Sequence, residues 1–354
     1  MGFFVFASAI LFGVGMMTGA PMRMRFYMIL MLYLGIVLAL VVLPEDSSLR
    51  LTFGGTLGEW VVAGGVGLAI AGYVALLKRV KRRVAPDEAP ISEPTDKLSD
   101  AEVERYARHI ILREIGGAGQ KRLKLSRVLV VGAGGLGSPA LMYLAAAGVG
   151  TIGVVDDDVV DHSNLQRQVI HDDTTIDQPK VHSAANRMRA LNPFITVKPY
   201  QTRLSEDQAL ELIAEYDLVL DGTDNFDTRY LVNKVCSQLN KPLIAAALTQ
   251  WEGQISLYDP ANGTPCYQCI FPEAPASHLA PSCAEAGVLG PLPGVIGSMM
   301  AVEAVKYIAP AGSSLTNTML IYDALYSETR QIHLKPRKDC PICQQRLQPV
   351  TEPS

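Results

Sequence analysis

The pattern of hydrophobic and polar positions divides the chain near residue 84. Before that point, three apolar runs at 3–19, 26–43 and 60–77 carry no charged residue. Each is close to the ~20 residues that cross ~30 Å of hydrocarbon, so three transmembrane helices are expected. Arg23 and Arg25 lie between the first two runs, and 78–83 reads KRVKRR after the third. Basic residues favour the cytoplasmic side, which puts the N-terminus outside and the chain after Leu77 inside, as a multi-pass protein of the cell (inner) membrane with a cytoplasmic catalytic domain. The run at 3–19 also has features of a signal peptide, with Thr18-Gly19-Ala20 as the cleavage-like site; the missing basic n-region and the following span speak against it. No charge lies inside a run, so residues 1–83 read as an anchor rather than a transport path. Gly64, Gly65, Gly67 and Gly72 would let the third helix pack closely on a neighbour.

Residues 84–98 carry Pro86, Pro90 and Pro94 among acids and read as a disordered tether. Ser99 with Glu102 forms a capping box that opens a helix over roughly 100–113. From 127 on, the period of the apolar positions alternates. Strands are expected at 127–131, 151–156, 196–200, 218–221 and 242–247, and helices at 138–147, 181–191, 207–214 and 227–239. This predicts an α/β, Rossmann-like, mostly parallel sheet with helices on both faces and a C-terminal antiparallel extension, over a domain at 99–347 with a tail at 348–354. The net charge of −4 and the 19% of charged residues point to no nucleic-acid partner.

The chemistry concentrates between 127 and 180. The first strand runs into Gly132, Gly134, Gly135 and Gly137, and a helix follows, which is a phosphate-binding turn whose default ligand is a dinucleotide. Asp156 stands about twenty residues on, at the position of a ribose-binding acid, and serves NAD or ATP equally. Arg167 and Lys180 decide for a triphosphate, because two cations after the second strand neutralise charge that a dehydrogenase does not develop. Asp224, in DGTDN, offers a hard oxygen to Mg²⁺.

Cys266-x-x-Cys269 and Cys340-x-x-Cys343 are two knuckle halves, and together they fit a tetrahedral zinc site that ties the C-terminal hairpin to the sheet. A disulfide or redox pair is the competing reading, disfavoured in a reducing compartment.

RYxRxI at 105–110, GxGGLG, Asp156, NLQRQ at 164–168, QPK at 178–180, DxTDN and the two C-x-x-C pairs occur in one order. Together they resemble the MoeB/ThiF/HesA family of ubiquitin-activating-type adenylyltransferases, and most closely its MoeB branch. The resemblance runs from about residue 99 to 345. It implies that Gly135 approaches the ATP phosphates, with Gly132, Gly134 and Gly137 forming the turn. Asp156 would hold the ribose; Asn164, Arg167 and Lys180 would bind phosphates, Asp224 would hold Mg²⁺, and Asp158, Gln168 and Asn225 would complete the ATP-binding set. Arg108 resembles an arginine that reaches into a partner subunit, which implies a homodimer with composite sites. The reaction implied is ATP-dependent adenylation of the C-terminal glycine of a ubiquitin-like sulfur carrier ending in Gly-Gly, MoaD-like for molybdopterin synthesis. ThiS-like adenylation for thiamine is the alternative. In the thiamine branch a cysteine at the position of Cys283 takes part in sulfur chemistry; here a packed thiol competes with that role. The chain ends soon after the second knuckle, so a separate sulfur donor is expected. Cyclisation of a tRNA-bound carboxylate, a non-catalytic nucleotide-binding membrane scaffold and a plain NAD dehydrogenase are the competing functions.

Overall fold

The computed structural model describes residues 2–18, 22–44, 47–84, 97–274 and 286–343. The expected tether falls almost wholly outside them, as do Cys283 and the tail at 348–354. The chain separates into two units, Met1–Pro90 and Ile91–Ser354.

The N-terminal unit holds α1 (Gly2–Met17), α2 (Met22–Val42), a short α3 (Ser48–Phe53) and α4 (Leu57–Val84). Trp60, Ile36 and Leu40 are buried together against Phe4, Tyr33 and Phe53. The Tyr33 hydroxyl donates to the Trp60 carbonyl at 2.6 Å, and the Trp60 indole donates to the Gly54 carbonyl at 2.9 Å. Most other apolar side chains of this unit face outward; Leu68 is 76% exposed and Met31 69%. The expectation of three spans needs correction on length. Among the described residues one window, Leu57–Val74 in α4, is long and apolar enough to cross a membrane, whereas Gly2–Met17 and Tyr27–Val42 are shorter. At 1.5 Å per residue, sixteen residues rise only ~24 Å, short of a ~30 Å core. The first helix stops at Met17, and α2 opens with Arg23 and Arg25, which leaves Tyr27–Val42 as its apolar part.

The second unit begins with α5 (Asp100–Arg105), α6 (Ala107–Ile110) and α7 (Gly116–Leu125). The Ser99–Glu102 capping box forms as expected, but the single helix over 100–113 does not. Tyr106 interrupts it. Its side chain is buried, its hydroxyl accepts from Asn192 Nδ2 at 2.8 Å, and its ring fills the space where a Cβ on Gly148 would sit. A buried tertiary anchor outweighs the few tenths of a kcal/mol that local helix propensity supplies per residue.

The core is one eight-stranded sheet in the order β3-β2-β1-β4-β5-β6-β7-β8. Strands β1 (Arg127–Val131), β2 (Thr151–Val155), β3 (Thr196–Tyr200), β4 (Leu218–Asp221) and β5 (Leu243–Leu248) pair in parallel. Strands β6 (Glu252–Tyr258), β7 (Thr318–Asp323) and β8 (Glu328–His333) extend it antiparallel. Val128 and Val130 of β1 pack with α8 (Gly137–Ala147), α9 (Lys180–Leu191) and α13 (Pro291–Ile308) on one face. Leu129 and Val131 pack with α10 (Glu206–Ala214) and α11 (Phe226–Gln238) on the other. Both faces of β1 are therefore buried, and each buried Val or Leu contributes roughly 1.5–3 kcal/mol. The strand order reverses between β1 and β4, and open α/β sheets bind ligands at that switch point.

At the switch point the turn after β1 is held by close backbone approach. Gly132 has φ +97°, and a Cβ on Gly137 would stand 1.9 Å from the Gly132 carbonyl oxygen. His171 pins the same turn from behind: it is buried, its Nε2 lies 3.0 Å from the Ala133 carbonyl and its Nδ1 2.8 Å from Ser183 Oγ. Burial holds the His171 imidazole below its ordinary value of 6.5. The unfolded chain therefore takes up the proton first as pH falls. The stability that neutral His171 supplies is complete above pH ~6.5 and drains away below it. His171→Gln should flatten the urea-unfolding midpoint between pH 7 and 5; an unchanged pH slope in that variant would show that His171 does not set it.

Candidate active site

The C-terminal ends of β1, β2, β4 and β5 open into a cavity of about 560 Å³. Gly132, Gly134 and Gly135 line it, with Arg167, Gln168 and Lys180 following β2 and Asp224 and Asn225 following β4. Most of the residues picked out for nucleotide chemistry thus line one cavity at the glycine turn.

Asp156 directly follows β2. Its Oδ2 accepts from the Ala133 backbone N–H at 2.8 Å and its Oδ1 from that of Asp158 at 2.9 Å. Burial raises its carboxyl above the usual range, while Lys180 and the two N–H donors work in the opposite direction. The end of the second strand brings three acids together, since Asp156, Asp157 and Asp158 place carboxylate oxygens within 4.8 Å of one another. Lys180 answers them. Its ammonium is almost buried and bonds Asp158 Oδ2 at 2.9 Å. That carboxylate is two-thirds exposed, so water screens it and the pair holds Lys180 only loosely. A phosphate arriving in the cavity has a partly released cation to meet.

Arg167 lines the cavity, with Nη1 donating to the Ser163 carbonyl at 3.2 Å. Gln168 is buried, and its Oε1 has no hydrogen-bond partner among the described residues. Asp224 is exposed on the cavity surface and makes no hydrogen bond or ion pair among the described residues. A free carboxylate beside a phosphate-binding turn suits a hard divalent cation such as Mg²⁺. Asn225 also caps α11, where its Oδ1 accepts from Thr228 N at 2.9 Å.

Three sequence-picked residues stand elsewhere. Asn164 lies outside the cavity lining; its carbonyl accepts from the N–H groups of Arg167 and Gln168 and so shapes the turn that carries them. Gly137 is also outside the lining, and its role is the close contact with Gly132. Arg108 sits exposed in α6, away from the cavity.

Sequence reading missed Thr202, Arg203 and Leu204 after β3, and Arg229, Tyr267 and Phe271, all of which line the cavity. Arg229 had a legible signal, since it stands four residues after Asn225 and so one turn further along the same helix.

The four knuckle cysteines converge. Cys266, Cys269, Cys340 and Cys343 are buried with their sulfurs within 4.8 Å of one another. Cys266–Cys269, Cys266–Cys340 and Cys269–Cys343 separations are 3.8, 3.5 and 3.3 Å. A tetrahedral ion with ~2.3 Å Zn–S bonds needs sulfurs ~3.8 Å apart, so the set fits zinc and none of its members is disulfide-bonded. Hydrogen bonding from Cys266 draws the Cys269 thiol down to about 5. Hydrogen bonding to Cys269 and burial push Cys266 up, and burial above all pushes Cys343 up to about 12. A bound dication would let all four sulfurs serve as thiolate ligands. Tyr267, next after Cys266, lines the nucleotide cavity, and its N–H donates to Asn233 Oδ1 at 2.9 Å. The knuckle therefore backs directly onto the site.

Comparison with known proteins agrees with this architecture. A model of the ThiF family matches residues 106–342. The SAMP-activating enzyme E1 of Haloferax volcanii is 47% identical over 249 residues, covering 70% of this chain and 92% of that protein. The sulfur carrier protein adenylyltransferase of Thermus thermophilus is 47% identical over 246 residues, covering 68% and 91%. A crystal structure of E. coli MccB with ATP superposes with a TM-score of 0.59 at 22% identity, covering 68% of this chain and 74% of that one, and shares the fold. On the glycine turn, the cavity around it and this breadth of similarity, the chain belongs to the ThiF family.

Proposed function

We propose that the chain adenylates the C-terminal glycine carboxylate of a small ubiquitin-like sulfur-carrier protein, using ATP and releasing pyrophosphate. It is a nucleotidyltransferase of the ThiF family. The observation that carries this reading is the convergence of Arg167, Lys180 and the partnerless carboxylate of Asp224 on one glycine turn, in a chain 47% identical to a sulfur carrier protein adenylyltransferase. A dehydrogenase has no use for that charge arrangement.

The chemistry asks little of a protein base, because the attacking carboxylate is already ionised at neutral pH. Catalysis is positioning plus charge stabilisation. Backbone N–H groups of the turn around Gly134 and Gly135 face the phosphates, and Asp156 takes the ribose. Lys180 exchanges Asp158 for a phosphate oxygen, and Arg167 meets the charge of the departing pyrophosphate. Asp224 would hold Mg²⁺, whose contribution is further neutralisation of phosphate charge. The four cysteines would hold zinc, which fixes the helical turn Tyr267–Ile270 against the cavity. The carrier is MoaD-like or ThiS-like.

Arg108 is exposed and has no hydrogen-bond or ion-pair partner among the described residues, which favours its delivery to the site of a second copy in a homodimer. The N-terminal unit anchors the protein in the cell membrane. Its outward apolar side chains support that role, α4 supplies one span of sufficient length, and the basic cluster at 78–83 just after that span favours the catalytic unit on the cytoplasmic side.

The full chain in detergent should catalyse ATP–pyrophosphate exchange only when a carrier ending in Gly-Gly is present. Asp224→Ala should lower that rate about 10²–10³-fold. Exchange without a carrier, or a variant as fast as the parent, contradicts the assignment. Purified protein should carry one zinc per chain. Stripping it with a chelator should lower the melting temperature by more than ~8 °C, because each kcal/mol moves the midpoint of a domain this size by about 2–4 °C. Zinc-free protein with an unchanged melting curve would show that the cysteines hold no structural metal.

A further inference from the structure

Arg229, on the inner face of α11, is 5% exposed and lines the cavity. One of its terminal nitrogens, Nη2, donates to the Thr223 carbonyl and, at 2.7 Å, to the Ala246 carbonyl. These carbonyls belong to the loop that carries Asp224 and to the end of β5. The guanidinium is therefore fixed in place by main chain on two sides. Its other terminal nitrogen, Nη1, is buried with no hydrogen-bond partner, and Arg229 makes no ion pair among the described residues. A buried guanidinium held by neutral groups alone, two carbonyls with the Tyr267 phenol beside it, is incomplete, since desolvation of a charge is repaid by an opposite charge and by filling its donors. Lysine in the same place would lack the fixed planar fork that two carbonyls and a further acceptor can share.

The ligand that completes it follows from position. Arg167 and Lys180 follow β2, beside the turn that takes the phosphates. Arg229 instead rises from the helix after β4, one turn beyond Asn225, with Thr223 and Asp224 between it and the glycine turn in the chain. Tyr267 joins it at the cavity. A cation and a phenol, set apart from the phosphate cations, form a receptor for a carboxylate.

We infer that Arg229 binds the carrier's C-terminal carboxylate, donating from Nη1 to one carboxylate oxygen and leaving the other free to attack the α-phosphate. This rests on the carrier reading above and deepens it. Arg229 contacts the substrate, and its Nη2 bonds make it the link between acyl group and Asp224 loop.

The test uses the full chain in detergent, a non-hydrolysable ATP analogue, and two forms of a small ubiquitin-like carrier, one ending in glycine and one in glycinamide. The parent protein should bind the carboxylate form at least about tenfold more tightly, a factor in the range of one charge-assisted hydrogen bond. Arg229→Gln should reduce that preference below about twofold, and Arg229→Lys should leave it in between, while both bind the ATP analogue alone within about twofold of the parent. Arg229→Lys keeps the charge and decides the matter if the glutamine variant fails to fold. A glutamine variant with the full preference overturns the inference. So does parallel loss of analogue binding in both variants, which would make Arg229 a purely structural peg. If the parent binds neither carrier form, the carrier reading itself falls; if it binds both forms equally, only the role of Arg229 does.

Discussion

The turn after β1 depends on two glycines that touch. With a Cβ at Gly137 only 1.9 Å from the Gly132 oxygen, any side chain there would force α8 away from the end of β1. The backbone N–H groups that face the cavity would be displaced with it. From that contact outward, each layer fixes the next. Asp156 accepts from the Ala133 N–H, His171 meets the Ala133 carbonyl, and Ser183 meets His171 from α9, the helix that begins at Lys180. This chain of hydrogen bonds ties the turn to the end of β2 and to α9.

Charge is distributed around that rigid turn in a way that anticipates a ligand. Lys180 is almost buried but paired with an exposed carboxylate, Asp224 is without a partner among the described residues, and Arg229 is buried with a donor to spare. Gln168 contributes an unmet acceptor. Native proteins leave few buried polar atoms unsatisfied, because each costs about 1–3 kcal/mol. Two of them, unsatisfied among the described residues, stand in the lining of one cavity beside the Asp224 carboxylate. The zinc-type knuckle supports it from behind, since Tyr267 belongs to both structures.

Much of this is legible in the chain itself. Strands β1, β2, β4 and β5 announce themselves as short apolar runs, because a strand buried on both faces has no polar face to blur its limits. The glycine turn, Arg167, Lys180 and Asp224 are legible because their chemistry needs fixed residue types at short spacings. Tyr106 is not: the break it makes in the helix depends on Asn192, far along the chain. Asn164 sits in a polar motif with Arg167, yet only the turn geometry shows that its carbonyl, rather than its side chain, organises the group. Arg229 is legible only as a side chain one turn beyond Asn225; its burial, its anchorage on a β5 carbonyl and its place beside α12 (Tyr267–Ile270) depend on elements remote in sequence. The apolar runs near the N-terminus give hydrophobicity accurately and helix length poorly, since composition does not mark where a helix stops.

If the cavity joins ATP to a carrier's terminal carboxylate, the acyl-adenylate itself is the species to find. Intact-mass spectrometry of the carrier after a single turnover with ATP and the full chain tests this most directly. The expected product is a carrier heavier by an adenylyl group, with the added mass on the C-terminal glycine. That species should disappear when the glycine carboxylate is amidated. A carrier of unchanged mass beside consumed ATP, or an adenylyl group on any other residue, would contradict it.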